Sequence, residues 1–183
     1  MSFQEILRKS TKKLLITIAL IAHLILAIIV NYSFPHYETA LITGGEVKRV
    51  DKDGLISGEN PADGPTRDVY FIYTQEINGT KVMTYRNEDT GFGFPFYLKF
   101  NSADLQAMAQ SFAISQKKVQ IKYYGWRITV LDKFRNAVSI KELKNSETGS
   151  NPIMSYIFYA LIFASFLFFV FFTRKIFDKG IKA

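Results

Sequence analysis

Residues 14–30 read LLITIALIAHLILAIIV, 17 residues without a formal charge in a chain of 183. As an α-helix this run rises about 25 Å, just short of a bilayer hydrocarbon core of about 30 Å. Asn31 to Phe34 completes a crossing, with Tyr32 suited to the interface and Pro35 ending the helix. A second run, Ile153 to Thr173, reads IMSYIFYALIFASFLFFVFFT. Its uncharged residues rise about 31 Å, enough to span. Asn151-Pro152 opens it, proline being tolerated in a first turn, and Tyr156 and Tyr159 fall near one interface. A soluble core helix is rarely so apolar on every face. A cleavable signal peptide shares the basic flank and apolar run of the first segment. The run is long, however, and no A-x-A-like site follows, so the segment reads as an uncleaved signal anchor.

The charge pattern gives an orientation. Arg8, Lys9, Lys12 and Lys13 stand against Glu5 before the first run, a net +3. Arg174, Lys175, Lys179 and Lys182 stand against Asp178 after the second, again +3, while residues 31–150 carry only +1. Basic residues flank membrane segments on the cytoplasmic side, so both termini are expected there and the middle on the opposite face, across a bacterial inner membrane. A nucleic-acid protein carries its basic excess on the folded domain, which argues against nucleic acid as a partner. The chain has no cysteine, which excludes disulfides and thiolate metal sites without fixing a compartment. The expected divisions are a cytoplasmic tail (1–13), a first span (14–34), an extracytoplasmic domain (35–150), a second span (151–173) and a second cytoplasmic tail (174–183).

Within the spans, Ala19, His23 and Ala27 recur every fourth residue on one face, and Ala160 and Ala164 form a small-xxx-small pair. These five are the expected helix-packing residues. A proton relay through His23 would need acids within the membrane, and the spans hold none.

The middle is strand-rich. Ala40 to Val50 is one strand interrupted by Gly44-Gly45, the mark of a bulge or bend. Asp51 to Pro65 is rich in turn residues and reads as a surface loop; its Asp51-Lys52-Asp53-Gly54 start has the wrong spacing for a calcium loop. Residues 68–76 and 80–86 alternate as strands about Asn78-Gly79, the signature of a type I′ hairpin turn. Asn87 to Phe100 mixes glycine, proline and aromatics and reads as a structured loop. Asn101 with Asp104 resembles a capping box, opening a helix whose apolar face is Leu105, Met108, Ala109 and Phe112. Val119, Ile121 and Tyr123 face inward on the next strand. A turn at Tyr124-Gly125 leads to continued alternation over Trp126 to Val130, and residues 136–143 form the last strand.

The expected fold is therefore α+β in a membrane protein. Two transmembrane helices flank a small extracytoplasmic β-barrel of OB type, with five to six strands and one helix after the third. About 105 residues suffice for one such core.

Chemistry is harder to find. The only histidines are His23 and His36, and no H-x-x-x-H, GxSxG or Walker spacing occurs. The residues point to no enzyme, metal or cofactor. Arg86, Glu88 and Asp89 read as a turn with local ion pairs. The aromatic set Phe92, Phe94, Phe96, Tyr97 and Trp126 is the candidate surface for a partner or ligand, against the plainer reading of core packing.

Five segments, TRDVYFI (66–72), RNEDTG (86–91), KFNSADLQ (99–106), YGWRI (124–128) and NAVSI (136–140), resemble a family of short membrane proteins from bacteria and phages whose function is unknown. The resemblance implies occurrence in phage genomes and carries over no site. The layout is also similar to prophage superinfection-exclusion proteins, which sit in a host membrane and block DNA delivery by a related phage. The expected function is thus a non-enzymatic inner-membrane protein presenting a periplasmic domain to a protein partner in the periplasm or membrane, with exclusion as its specific form. Homo-oligomers are compatible with this. The alternative is an accessory subunit or ligand sensor of an envelope complex.

Overall fold

The computed structural model of the chain describes residues 3–51, 54–56, 61, 64–144 and 147–179. In chain order the elements are α1 (Phe3–Ser33), β1 (His36–Asp51), β2 (Gly54–Leu55), β3 (Arg67–Gln75), β4 (Val82–Asn87), α2 (Ser102–Ser115), β5 (Lys118–Tyr124), β6 (Arg135–Glu142) and α3 (Ile153–Lys179). They fall into two compact units, a helical one made of Met1–Tyr32 with Ile153–Ala183, and Ser33–Pro152. Most of the turn-rich stretch after Asp51, including Lys52 and Asp53, lies outside the described residues.

In the helical unit, α1 and α3 are each long and apolar enough to cross a membrane. They run antiparallel, since Lys12 pairs with Asp178 at 2.6 Å, His23 Nε2 lies 3.1 Å from Ser165 Oγ, and Asn31 donates to Tyr159 Oη at 3.1 Å. From Lys12 to Val30 the less exposed positions of α1 are Lys12, Ile16, Ala19, His23, Ala27 and Val30. That three-and-four spacing is a packing seam. Ala19, His23 and Ala27 lie on it. Ala160 and Ala164 do not: they are exposed, and the α3 seam runs through Ser155, Tyr159, Ile162, Phe166, Val170 and Thr173. Across the pair the Phe166 ring meets the His23 ring edge-on at 5.4 Å. His23 Nδ1 lies 2.6 Å from Ala19 O, so both ring nitrogens are engaged within the helix pair.

In the other unit the sheet order is β2-β1-β3-β4-β6-β5, and β1 also pairs with β5, so the sheet returns on itself. One long strand serves both ends because β1 changes partner along its length. Residues 36–41 pair with β5 and residues 41–50 with β3, with a register shift between Ile42 and Gly44. The double glycine sits at that bend, as expected. Gly45 is required there on steric grounds: a Cβ would stand 2.6 Å from Gln106 Nε2 and 3.0 Å from Phe71 O. Ile42, Ile72, Tyr85, Val119, Ile121, Ala137 and Ile140 fill the interior. Helix α2 adds Leu105 and Ala109, with Phe112 packed at the edge.

Four local expectations are corrected. The β3–β4 turn is longer than a two-residue type I′: Glu76 N donates to Lys81 O at 3.0 Å, and neither Asn78 nor Gly79 has the positive φ that type demands. Asn101 makes no side-chain cap. Instead the Asp89 carboxylate accepts from Ser102 N and Ser102 Oγ, both at 2.9 Å, from thirteen residues upstream. Met108 is exposed, and the polar Gln106 takes the buried place on α2. Trp126 to Val130 does not continue a strand. Gly125, at φ +81°, turns the chain into a loop with a short 3-10 turn at Thr129–Leu131, closed by an Ile128–Lys133 bridge.

Candidate interaction surface

Thr90 to Leu98, TGFGFPFYL, is uncharged throughout and joins β4 to α2. A chain so apolar would collapse onto the core if it were free to. It does not: Phe92 is 81% exposed, Phe94 60% and Phe96 74%. Phe94 and Phe96 meet edge to face, as do Phe92 and Phe100.

Two anchors hold the loop in this extended position. The first is Tyr97. Its ring stacks on Tyr124 at 5.0 Å, its hydroxyl donates to Ser33 O at 2.8 Å, and the Lys122 ammonium lies 5.6 Å from its centroid. Burial, with Tyr124 and Tyr37 beside it, pushes its phenol well above the usual range. The second is Lys99, only 4% exposed. Its ammonium donates to Asn87 Oδ1, to Glu88 O at 3.2 Å and to Ala137 O at 2.8 Å. Three donors meet three acceptors, which is what makes a buried ammonium tolerable. Burial still pushes it down to about 8, against the pull of Asp89 and Glu88.

The network continues inward. Asn87 Nδ2 donates to Ser102 O at 2.9 Å and Gln106 Oε1 at 3.2 Å, and Gln106 Nε2 donates to Phe71 O at 3.1 Å. Loop, β4, β6, α2 and β3 are thus tied through buried polar atoms. Leu98, at φ +50°, sits between the two anchors in a conformation a leucine rarely adopts. Sequence reasoning missed Lys99, Asn87 and Gln106. An apolar-face count passes over polar residues, and nothing in the spacing of these three marks them as neighbours.

The loop bounds an apolar groove of about 260 Å³, lined by Ser33, Phe34, Pro35, Phe94, Pro95, Phe96 and Tyr97. Of the five aromatics singled out, Phe94, Phe96 and Tyr97 line it. Phe92 pairs with Phe100 instead. Trp126 is half-buried and outside the lining. The Tyr97–Tyr124 stack makes one part of the set structural, while the three phenylalanines are surface.

Nearby, at the strand ends where His36 pairs with Tyr123, Glu38 accepts from Tyr85 Oη at 2.7 Å and from Arg135 at 3.0 Å. The Arg135 guanidinium lies over the Tyr123 ring at 4.9 Å, and the His36 ring stacks on the same tyrosine at 5.5 Å. Burial, and next the Glu38 carboxylate, raise the Tyr85 phenol strongly. These groups satisfy one another and close the ring's interior with a polar layer. The β5–β6 connection leaves from the same end and carries Val130 and Leu131, 91% and 63% exposed. Arg127 stacks on Phe134 at 4.0 Å and steadies its base. Among the described residues no group of three or more His, Asp or Glu side chains gathers into a metal-binding set.

Among solved structures, the chain is similar to two mutant forms of the Salmonella typhi PltB homopentamer, one of them solved with glycans. Identities are 14% and 13%, each match covers 67% of this chain and 96% of the other, and the TM-score is 0.43 for both. A protein of Haemophilus influenzae described as uncharacterized is 55% identical over 173 residues, which is 94% of this chain and 99% of the relative. Residues 11–177, most of both long helices and everything between them, match the family described as protein of unknown function DUF1523, and to that family the chain belongs.

Proposed function

We propose that the chain is a non-enzymatic protein of the bacterial inner membrane, with both termini cytoplasmic and the ring-sheet domain in the periplasm, where it binds a protein partner. The observation that carries this is the placing of charge. Arg8, Lys9, Lys12 and Lys13 precede the apolar run of one long helix and Arg174 and Lys175 follow that of the other, while the intervening unit is nearly neutral. Two antiparallel spans with basic outer ends have one favourable orientation, and it puts residues 33–152 outside the cytosol. A relative in Haemophilus influenzae supports a bacterial setting. The strand order, with α2 between the third and fourth long strands and β4 parallel to β6, supports the OB class for the domain. Such barrels commonly act by binding. The exposed Val130-Leu131 tip and the phenylalanine loop are the apolar surface on offer.

Within this reading the specific role is exclusion of an incoming phage, by interference with its DNA conduit at the periplasmic face. The test has two arms. A phosphatase reporter fused after Gly64 is active only if the domain is exported, and activity of a cytosol-dependent reporter there sinks the topology. Cells expressing the chain are then challenged with a phage panel. Normal adsorption with failed DNA delivery by at least one phage supports exclusion, whereas delivery by all of them rules that role out.

A further inference from the structure

We infer that the Phe92–Phe96 loop is a lipid anchor, with Phe94 and Phe96 seated in the interfacial zone of the periplasmic leaflet, leaving the Val130-Leu131 tip for the protein partner. The inference rests on the bilayer-spanning part of the reading above. Its first support is chain length. The apolar run from Leu14 rises 1.5 Å per residue, so a core of about 30 Å is used up near residue 33. Ser33 is the last residue of α1, and its carbonyl accepts the Tyr97 hydroxyl at 2.8 Å. The loop is therefore bonded to the point where the chain leaves the hydrocarbon. Its groove is walled by Phe34 and Pro35, the next residues out.

Composition is the second support. Nine consecutive residues from Thr90 carry no charge. The one adjacent cation, Lys99, is turned into the protein interior rather than toward the groove. Lys122 lies beside the loop, its ammonium 5.6 Å from the centroid of the Tyr97 ring. Exposed phenylalanines with a lysine nearby suit a phospholipid interface, where aromatic rings favour the headgroup boundary and lysine snorkels. A protein occupant would have to bury the same rings while competing with lipid for them.

The test exploits the absence of native cysteine. Single spin labels are placed at Phe94→Cys, Phe96→Cys, Ile114→Cys and Leu24→Cys in the full chain, reconstituted in phosphatidylethanolamine–phosphatidylglycerol vesicles. Ile114, 87% exposed at the far end of α2, is the water reference, and Leu24, exposed on α1, is the lipid reference. The readout is collision with oxygen relative to collision with a water-soluble nickel chelate. The expected result is a ratio at Phe94 and Phe96 several-fold above Ile114 and approaching Leu24. Lipid-like values at Leu24 with water-like values at both phenylalanines overturn the anchor and leave the groove to a protein or a second copy. A water-like Leu24 overturns the spanning reading itself, and the anchor with it. Trp126 emission, unchanged from the parent, certifies that each labelled chain is folded.

Discussion

Lys99 offers the sharpest test of the buried network. Its ammonium is pushed from 10.5 down to about 8 by burial, so between these values the unfolded chain holds a proton that the folded chain has released. Stability rises with pH wherever the unfolded state binds more protons. Below about 8 both states are charged, and folding bears the whole cost of the buried ammonium, about 3 kcal/mol. Going from near pH 7 to near pH 10 should therefore stabilise the domain by about 2–3 kcal/mol. Tyrosines limit the window from above. Tyr85, Tyr97 and Tyr123 are all raised by burial, so past about pH 10 the unfolded state loses phenolic protons first and stability falls again. The assay is denaturant unfolding of the full chain in mild detergent, followed through Trp126, the chain's one tryptophan. The comparison is Lys99→Met. Its stability at neutral pH mixes two opposing effects, two acceptors stripped of their donor and one ammonium no longer buried, and decides little. The slope isolates the proton: the parent should gain stability across the window and the variant should not. A flat parent, or a variant that keeps the rise, would refute the account of Lys99 as a charged group held inside.

Other expectations follow from the same contacts. Asp89→Ala strips two hydrogen bonds from the start of α2 and should cost about 1 kcal/mol, the usual worth of an N-terminal cap, by the same unfolding assay. Gly45→Ala drives a methyl into Gln106 and Phe71 O and should cost about 1–3 kcal/mol, the range for overpacking. A Gly45→Ala chain as stable as the parent would mean that the bend in β1 tolerates a side chain. On the helices, Ala19→Leu should lower the thermal stability of the pair in micelles while Ala164→Leu should not, because only Ala19 lies on the seam. His23→Leu should cost about 0.6 kcal/mol, the average for a hydrogen bond between membrane helices.

What was legible in the sequence tracks the range of the forces involved. Period-2 alternation at Val119, Ile121 and Tyr123 reports a local fact, which face of a strand is buried, and all three are buried. Gly44-Gly45 likewise marked a bend in the strand that carries it. Contacts between distant residues were not legible. Asp89 caps a helix that begins thirteen residues later, displacing the nearer Asn101. Lys99 reads as an exposed charge between two apolar residues, and only β6, bringing Ala137 O alongside, makes its burial possible. The aromatic loop fell between these cases. Its composition singled it out as irregular and apolar, yet which rings were surface depended on Tyr97 finding Tyr124 and Ser33, neither of them near in the chain. For the helix pair, Ala19, His23 and Ala27 share one of the less exposed faces of α1, as a four-residue period requires, whereas Ala160 and Ala164 are exposed, since small-residue spacing says nothing of which face meets a partner.

The two anchors also explain why a lysine is used where a methionine would fill the space. Asn87 and Gln106 are needed to join β4 and α2 through Ser102 O and Phe71 O, and that leaves Asn87 Oδ1 and Ala137 O without donors. An apolar residue at position 99 would leave both orphaned, at about 1–3 kcal/mol each. A long cation with three donors satisfies both and Glu88 O besides, and its direction fixes the register of the loop. Because Lys99 must point inward, Leu98 is forced outward at positive φ, and the preceding rings are carried away from the core with Tyr97 as the stop. The exposure of Phe94 and Phe96 is therefore a consequence of a buried charge on the other side of the chain. Loosening that charge should let the rings retreat before it unfolds the sheet. Labels at Phe94 and Phe96 in a Lys99→Met chain should then lose mobility contrast with the core while Trp126 emission holds, and labels unmoved by the substitution would separate the loop's posture from the network.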